Sequence, residues 1–249
     1  TLAAGDPDSF RFLQQPTDFV AGNGFSPAVS AEVIDSEGNR VLSASNSVNV
    51  FWAMNGVGSY GLTSGFIPAS GVLDLSTLNF TKAASYKLRL EATGLTSVNS
   101  DTFVIGHDVA AGLEWIVDPT GGWQSGKDIT TLPKLRVVDQ YNNAVSTGPV
   151  VTVSASVVGA NSAGVLAVTG NEASGVGEIE FANLNITAIA DSYVLSFSGE
   201  VNGVTFGSIA TSGTIDITHG DPTQLTIITP AAGSRAGLAL AQSPVLEIQ

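Results

Sequence analysis

The sequence predicts an all-β protein made of two β-sandwiches in line, followed by the opening strands of a third. Three observations carry that expectation. The segment Val33-Ile34-Asp35-Ser36-Glu37-Gly38-Asn39-Arg40-Val41 is matched by Val137-Val138-Asp139-Gln140-Tyr141-Asn142-Asn143-Ala144-Val145, at a separation of 139 − 35 = 104 residues. That is the length of one small sandwich and far exceeds the roughly 20–50 residues of a solenoid unit. Short runs rich in β-branched and aromatic residues also recur at intervals of about ten residues, each bounded by Gly, Pro, Asn or Asp. Finally, no segment of useful length carries the 3.6-residue apolar period of a helix.

Both copies of the repeated segment describe a strand, a tight turn and a second strand. β-Branched residues run into an acid, turn formers follow, and an apolar residue resumes the chain. Gly38 and Asn142 stand where the backbone is expected to turn left-handed, and Gly and Asn are the residues that tolerate it.

Taken in order, Ser9-Phe10-Arg11-Phe12-Leu13 opens the first unit and Pro16 ends or kinks it at a sheet edge, where a missing amide hydrogen costs nothing. Leu113-Glu114-Trp115-Ile116-Val117 with Pro119 is the second occurrence, and Leu225-Thr226-Ile227-Ile228 with Pro230 the third. Strands are expected at Val48–Trp52, Val72–Leu75, Leu78–Phe80, Tyr86–Leu90 and Thr102–Ile105, with Asn55-Gly56 as a hairpin turn. The second unit answers at Val150–Val153, Glu178–Phe181, Leu184–Ile186, Tyr193–Phe197 and Thr214–Ile217. Pro244-Val245-Leu246-Glu247-Ile248 matches Pro133-Lys134-Leu135-Arg136-Val137, 244 − 133 = 111 residues earlier. The expected division is 1–106, 107–219 and an incomplete repeat over 220–249, within a longer protein. The junctions, Gly5-Asp6-Pro7, Gly106-His107-Asp108 and His219-Gly220-Asp221-Pro222, are short and partly stiffened by Pro, which favours an extended rod.

Composition narrows the function. Nine Lys and Arg stand against 22 Asp and Glu, a net charge of −13, so nucleic-acid backbones and anionic lipid surfaces are repelled. Apolar residues make up 43% and charged ones 12%, enough for real cores and too little charge for a disordered chain. Cysteine is absent, which excludes disulfides, thiolate metal sites and a Cys nucleophile. No apolar run approaches the length of a membrane span.

The residues Phe10-Arg11-Phe12-Leu13-Gln14-Gln15-Pro16, Ala21-Gly22, Phe25-Ser26-Pro27-Ala28-Val29, Val33-Ile34-Asp35 and Gly38-Asn39, with Leu78, Tyr86 and Phe103 further on, resemble the tandem immunoglobulin-like repeats of very large bacterial cell-surface proteins. The resemblance covers the first unit and, more loosely, Leu113 to Ile217. It implies immunoglobulin-like β-sandwiches in a secreted, modular, non-enzymatic protein of the surface-layer, adhesin-stalk or matrix-fibre type. Its partners would be other copies or repeats of the same surface protein, or surface glycans. Gly121-Gly122-Trp123 replaces Asp18-Phe19-Val20-Ala21-Gly22 in the second unit, which questions whether the first strand crosses between sheets there. Tyr86 and Tyr193 begin alternating strands and suit the corner tyrosine of such sandwiches, whose hydroxyl ties to backbone. Trp52 is assigned to local packing.

The residues that could form sites also suit plainer roles. His107 and His219 occupy equivalent junctions, which suits spacing or capping better than a catalytic triad. Glu178 and Glu180 share a strand face opposite Ile179 and Phe181, a solvated face rather than a glycosidase pair. Asp6, Asp8, Asp108 and Asp221 gather at the junctions and are the candidate ligands for calcium, the alternative being turn and capping aspartates. Asn79-Phe80-Thr81 and Asn185-Ile186-Thr187 fit the N-glycan acceptor pattern as well as a plain strand pattern. Lys82, Lys87, Lys127 and Lys134 lie outside the first strands, where an isopeptide crosslink would need one. A glycan- or ligand-binding module attached to a secreted enzyme is the alternative function, and it requires an exposed aromatic platform drawn from Trp115, Trp123, Tyr60 or Tyr141.

Overall fold

A computed structural model describes residues 3–127, 129, 131–158, 170–187, 190–233 and 235–249. The first unit contains β1 (Ser9–Gln14), β2 (Phe19–Val20), β3 (Ser30–Ile34), β4 (Val48–Met54), β5 (Val57–Phe66), β6 (Val72–Asp74), β7 (Ala84–Glu91) and β8 (Val98–Gly106). They form two sheets, ordered β1-β3-β6 and β2-β8-β7-β4-β5. Pro16 explains why the first strand is in two pieces. Without an amide hydrogen the ladder with β3 ends, the chain crosses to the other sheet, and Phe19 and Val20 pair parallel with Ile105 and Gly106. That crossing, with the strand order, is an immunoglobulin-like sandwich.

Period-two alternation fills the space between the sheets. In β7, Tyr86, Leu88 and Leu90 are buried while Lys87 faces outward. Phe25, Phe80, Phe103 and Tyr86 gather at the end of this core, with Phe25 and Phe103 edge to face at 5.3 Å and Phe80 4.8 Å from Tyr86. Such pairs add about 0.5–1.5 kcal/mol each beyond area burial. Trp52 is half-buried against the same cluster, 5.8 Å from Phe80.

The second unit contains β9 (Gly112–Val117), β10 (Gly121–Gln124), β11 (Lys134–Val138), β12 (Val151–Val158), β13 (Glu172–Gly175), β14 (Glu178–Glu180), β15 (Ala190–Val201), β16 (Val204–Ala210) and β17 (Ile215–Thr218). One sheet runs β14-β11-β9 and the other β10-β17-β15-β12-β13, with β16 on β15. The crossing questioned at Gly121-Gly122-Trp123 is made: β10 pairs parallel with β17, as β2 does with β8. Trp123 serves that crossing by packing inward, 8% exposed. Its separate core includes Leu135, Val153, Ile179, Phe181, Leu195, Phe197 and Ile217.

Three strands escaped the sequence reading, β5, β13 and β16, and the segments expected as strands at Leu78–Phe80 and Leu184–Ile186 are not strands, although Leu78, Phe80, Leu184 and Ile186 are buried in the cores. The signal for β16 was present, because Asn202-Gly203 has φ of 51° and 79°, matching the 52° and 69° of the recognised turn Asn55-Gly56. Both are two-residue hairpin turns with left-handed backbone at each position. A shared irregularity also lies within β8 and just after β16. The hydroxyl of Ser100 accepts from Leu88 N at 2.9 Å, and that of Thr211 accepts from Leu195 N at 3.4 Å. A buried side-chain oxygen thus replaces a missing ladder carbonyl in both units.

After Thr218, β18 (Leu225–Thr229) pairs with β19 (Val245–Ile248). The register Leu225↔Ile248, Thr226↔Glu247, Ile227↔Leu246 repeats Phe10↔Val33, Arg11↔Glu32, Phe12↔Ala31 and Leu113↔Val137, Glu114↔Arg136, Trp115↔Leu135. Among the described residues no second sheet covers this hairpin, and Leu225, Ile227, Leu246 and Ile248 are 56–66% exposed. The described residues contain no helix, hence none long and apolar enough to cross a membrane.

Candidate functional site at the junction between units

The repeated turn is more than a connection. In the first unit Asp35 caps its own turn: Oδ1 accepts from Glu37 N at 3.1 Å and Asn39 N at 2.8 Å. Its Oδ2 accepts from Gly5 N at 2.8 Å, so the same carboxylate ties down the segment entering the unit. Asp139 does likewise in the second unit. Oδ1 accepts from Tyr141 N and Asn143 N at 2.8 and 2.9 Å, and Oδ2 accepts from Asp108 N at 2.8 Å and Asn143 Nδ2 at 2.9 Å. Both aspartates are 2% exposed. Four donors satisfy the acceptor capacity of the Asp139 carboxylate, which is how a buried charge is tolerated. Gly38 and Asn142 have φ of 82° and 58°, the left-handed conformation expected of them.

The electrostatics follow from this geometry. Burial alone raises the carboxyl of Asp139, and the bonds from the Asn143 side chain and from the Asp108, Asn143 and Tyr141 amides outweigh it, so the group sits below its ordinary value. Asp35 is also lowered, first by the Gly5 amide and then by that of Asn39. Glu32 is the other buried acid of the first unit. Its burial raises it, and the side-chain bonds and charges of Arg40 and Arg11 bring it below the usual range; Arg40 Nε lies at 2.6 Å and Arg11 Nη2 at 2.5 Å.

The second turn then reaches across to the first unit. Asn143 Nδ2 donates to Thr81 O at 2.7 Å, and Ala83 N donates to Asn143 Oδ1 at 2.8 Å. Lys82 Nζ donates to Asn142 O at 3.4 Å. Tyr141 packs against the core of the first unit and covers Gly22 so closely that a Cβ added there would stand 1.9 Å from its hydroxyl. The receiving segment is itself held: Tyr86 donates its hydroxyl to Lys82 O at 2.9 Å, the corner bond expected of this tyrosine. Tyr193, its counterpart, is buried in the second core. Entry strap, turn and neighbouring unit therefore converge on Asp139 and Asn143, the latter only 1% exposed.

The linker adds a side clamp. His107 contacts Asp108 O through Nδ1 at 2.8 Å and Thr147 Oγ1 through Nε2 at 2.9 Å, and Gln140 Nε2 donates to Asp108 Oδ2 at 2.8 Å. Both ring nitrogens are engaged in holding the strap. A cleft of about 480 Å³ lies beside it, lined largely by apolar groups including Val20, Val109, Val145, Pro149 and Val201.

The remaining sequence candidates fall elsewhere. Asp108 bonds Gln140, and Asp221 receives Gln124 Nε2 at 3.0 Å and Lys127 Nζ at 2.5 Å. Among the described residues no three His, Asp or Glu side chains converge into a metal-sized group. The strand registers show why the junction aspartates do not form a repeated set. Gly112↔Val138 matches Ser9↔Ile34, which puts Asp108 at the place of Gly5 rather than Asp6 or Asp8. Glu178 is exposed on its strand and paired with Lys134 at 2.8 Å and Arg136 at 3.6 Å.

The aromatic platform does not form from its described members. Trp123 is buried, and Tyr141 lies against the first unit. Trp115 stands edge to face with Phe197 at 5.1 Å and donates Nε1 to Ala210 O at 3.1 Å. The side chain of Tyr60 lies outside the described residues.

No protein-family model matches the chain, and no curated protein matches it. Solved structures similar to it include domains 3–5 of the extracellular part of Drosophila OTK, at 15% identity over 94% of this chain and 73% of that one, with a TM-score of 0.36. The IG1+IG2 pair of DIP-gamma is similar at 11% identity over 85% and 99%, TM-score 0.38. The human desmocollin-1 ectodomain is similar at 11% identity over 96% and 46%, TM-score 0.41. The assignment of this chain to tandem immunoglobulin-like β-sandwiches rests on its own strand order, its two crossings between sheets and its two cores.

Proposed function

We propose that the chain is a structural module of a bacterial extracellular surface protein, of the surface-layer or adhesin-stalk type, which serves as a stiff, extended spacer and works without catalysis. The observation that carries this reading is the bridge from Asn143 to Thr81 O and Ala83 N, with Tyr141 on Gly22. Hydrogen bonds from a buried amide side chain to main-chain groups of the neighbouring unit are directional, so they fix an angle where apolar contact alone permits sliding. The junction binds no bend-inducing ligand in this reading; the product delivered is a defined spacing. β5 and β13, sheet edges among the described residues, supply lateral contacts to other repeats or copies of the same surface protein in this reading. The lack of cysteine fits an extracellular protein of bacterial type better than a small secreted eukaryotic one.

Residual dipolar couplings measured on the full chain test the reading directly. A common alignment tensor for residues 9–106 and 112–218 supports a stiff spacer. Independent tensors, or scattering dominated by a compact particle, sink it.

A further inference from the structure

The face that receives the turn on the first unit has a second copy on the second unit, and among the described residues nothing lies over the glycine of that copy. On the first unit it consists of Ala21 and Gly22 at the end of β2 and the Phe80–Ala83 segment. Ala21 N donates to Gly106 O at 2.9 Å, and Gly22 N, with φ of 82°, donates to Phe80 O at 3.0 Å. On the second unit Ser125 N donates to Thr218 O at 2.9 Å, and Gly126 N, with φ of 72°, donates to Ile186 O at 3.3 Å. Gly126 thus matches Gly22, and Thr187 matches Thr81. The difference lies in what covers them. A Cβ at Gly22 would collide with Tyr141, whereas one at Gly126 would meet nothing within 4 Å. Thr187 O accepts the Ser125 hydroxyl at 2.6 Å, and a carbonyl oxygen has a second lone pair to offer.

We infer that Gly126, Ile186 and Thr187 form a docking site for the turn of a further immunoglobulin-like unit of this chain's own kind, carrying an aspartate, an aromatic residue and an asparagine spaced as in Asp139, Tyr141 and Asn143. The occupant is identified by continuity with the interface already formed. The β18–β19 hairpin leaves the second unit in the same register as β9–β11 leaves the first. Gln224 and Gln249 exchange backbone hydrogen bonds at 2.9 Å in each direction, which puts Gln249 at the place of Val138, the residue that precedes Asp139 in the second unit. Asp221 is anchored beside the site by Gln124 and Lys127. The exposed apolar side of the hairpin is the half-core such a unit would close.

This inference rests on the spacer reading and extends it from one junction to a propagating rule. The test extends the full chain past Gln249 with a second copy of residues 139–219, which supplies a turn and the strands needed to close the third unit. Amide exchange is followed at Gly126, at Thr187 and in 225–229. The expected result is slowing at Gly126 and Thr187 by about tenfold or more relative to the chain of 249 residues. Changing the appended copies of Tyr141 and Asn143 to Ala should remove the slowing while 225–229 stay protected. Slowing at 225–229 with none at Gly126 overturns the inference, as does a third unit that fails to protect those strands. Concentration-dependent protection of Gly126 in the unextended chain also overturns it, since the occupant would then be a second copy. A stiff first junction alongside a free Gly126 separates this failure from failure of the spacer reading.

Discussion

Replacing Asn143 with Ala tests the junction most sharply, because the equivalent Asn39 bonds Asp35 and, among the described residues, bridges to no other unit. The change removes the bonds to Thr81 O at 2.7 Å, to Asp139 Oδ2 at 2.9 Å and from Ala83 N at 2.8 Å. A neutral hydrogen bond contributes about 0.5–1.5 kcal/mol net and one to a charged group about 1.5–3 kcal/mol. Thr81 is exposed and Ala83 half-buried, so water recovers part of the loss there, and a destabilisation of roughly 2 kcal/mol is expected. For a unit of this size that is a fall in melting temperature of about 10 °C.

Asn39→Ala provides the control. Among the described residues its side-chain hydrogen bonds go to Asp35 alone, at 3.2 and 3.3 Å, and it is exposed, so a loss of about 1 kcal/mol or less is expected. The excess of N143A over N39A measures the contact between units. Thermal unfolding gives both values, and dipolar couplings should show the two units losing their common alignment in N143A alone. Equal losses in the two variants, or unchanged alignment in N143A, would refute the bridge as the source of stiffness.

Three further outcomes are expected. Gly22→Ala and Gly126→Ala both force a side chain into left-handed backbone, at φ of 82° and 72°, but only the first drives into Tyr141; G22A should therefore open the junction in scattering while G126A does not. Asp35 and Asp139 titrate below their ordinary value of 3.8, so their contribution is present above about pH 4 and is lost as pH falls through the lowered folded values. The acid limb of a stability profile should be shallower in Asp139→Asn, and an unchanged limb would remove Asp139 from the account. Ser100→Ala leaves Leu88 N without its acceptor in a buried ladder, a cost of about 1–3 kcal/mol measurable by denaturant unfolding; a change within a few tenths would show that the strand rejoins its neighbour.

The sequence exposed the two-unit plan because a sandwich core demands alternation, and alternation survives in single strands such as Tyr86–Leu90. The turn was visible for a related reason: left-handed backbone restricts position 38 or 142 to Gly or Asn. The docking contact was missed because its partners are far apart in sequence and one side of it is main chain, which leaves no residue-type signature. Asn143 therefore looked like one more turn former and Gly22 like one more glycine. A signal did exist in the common offset, since 126 − 22, 139 − 35 and 143 − 39 all equal 104. The burial of Trp123 was not legible because nothing local distinguishes a core tryptophan from a displayed one. Strands β5, β13 and β16 were passed over because their residues are rich in Gly, Ser and Thr, whose faces carry little apolar contrast.

One property of the Asn143 bridge bears on how such a chain can change over time. The amide meets a carbonyl and an N–H that every residue type except proline supplies, so Thr81, Lys82 and Ala83 can drift in identity while the joint keeps its angle. The joint's demands fall on a handful of positions: the acid, the amide, the ring and the glycine beneath it. Repeats joined this way can diversify their outer faces independently, each acquiring its own surface chemistry, without renegotiating how they stack.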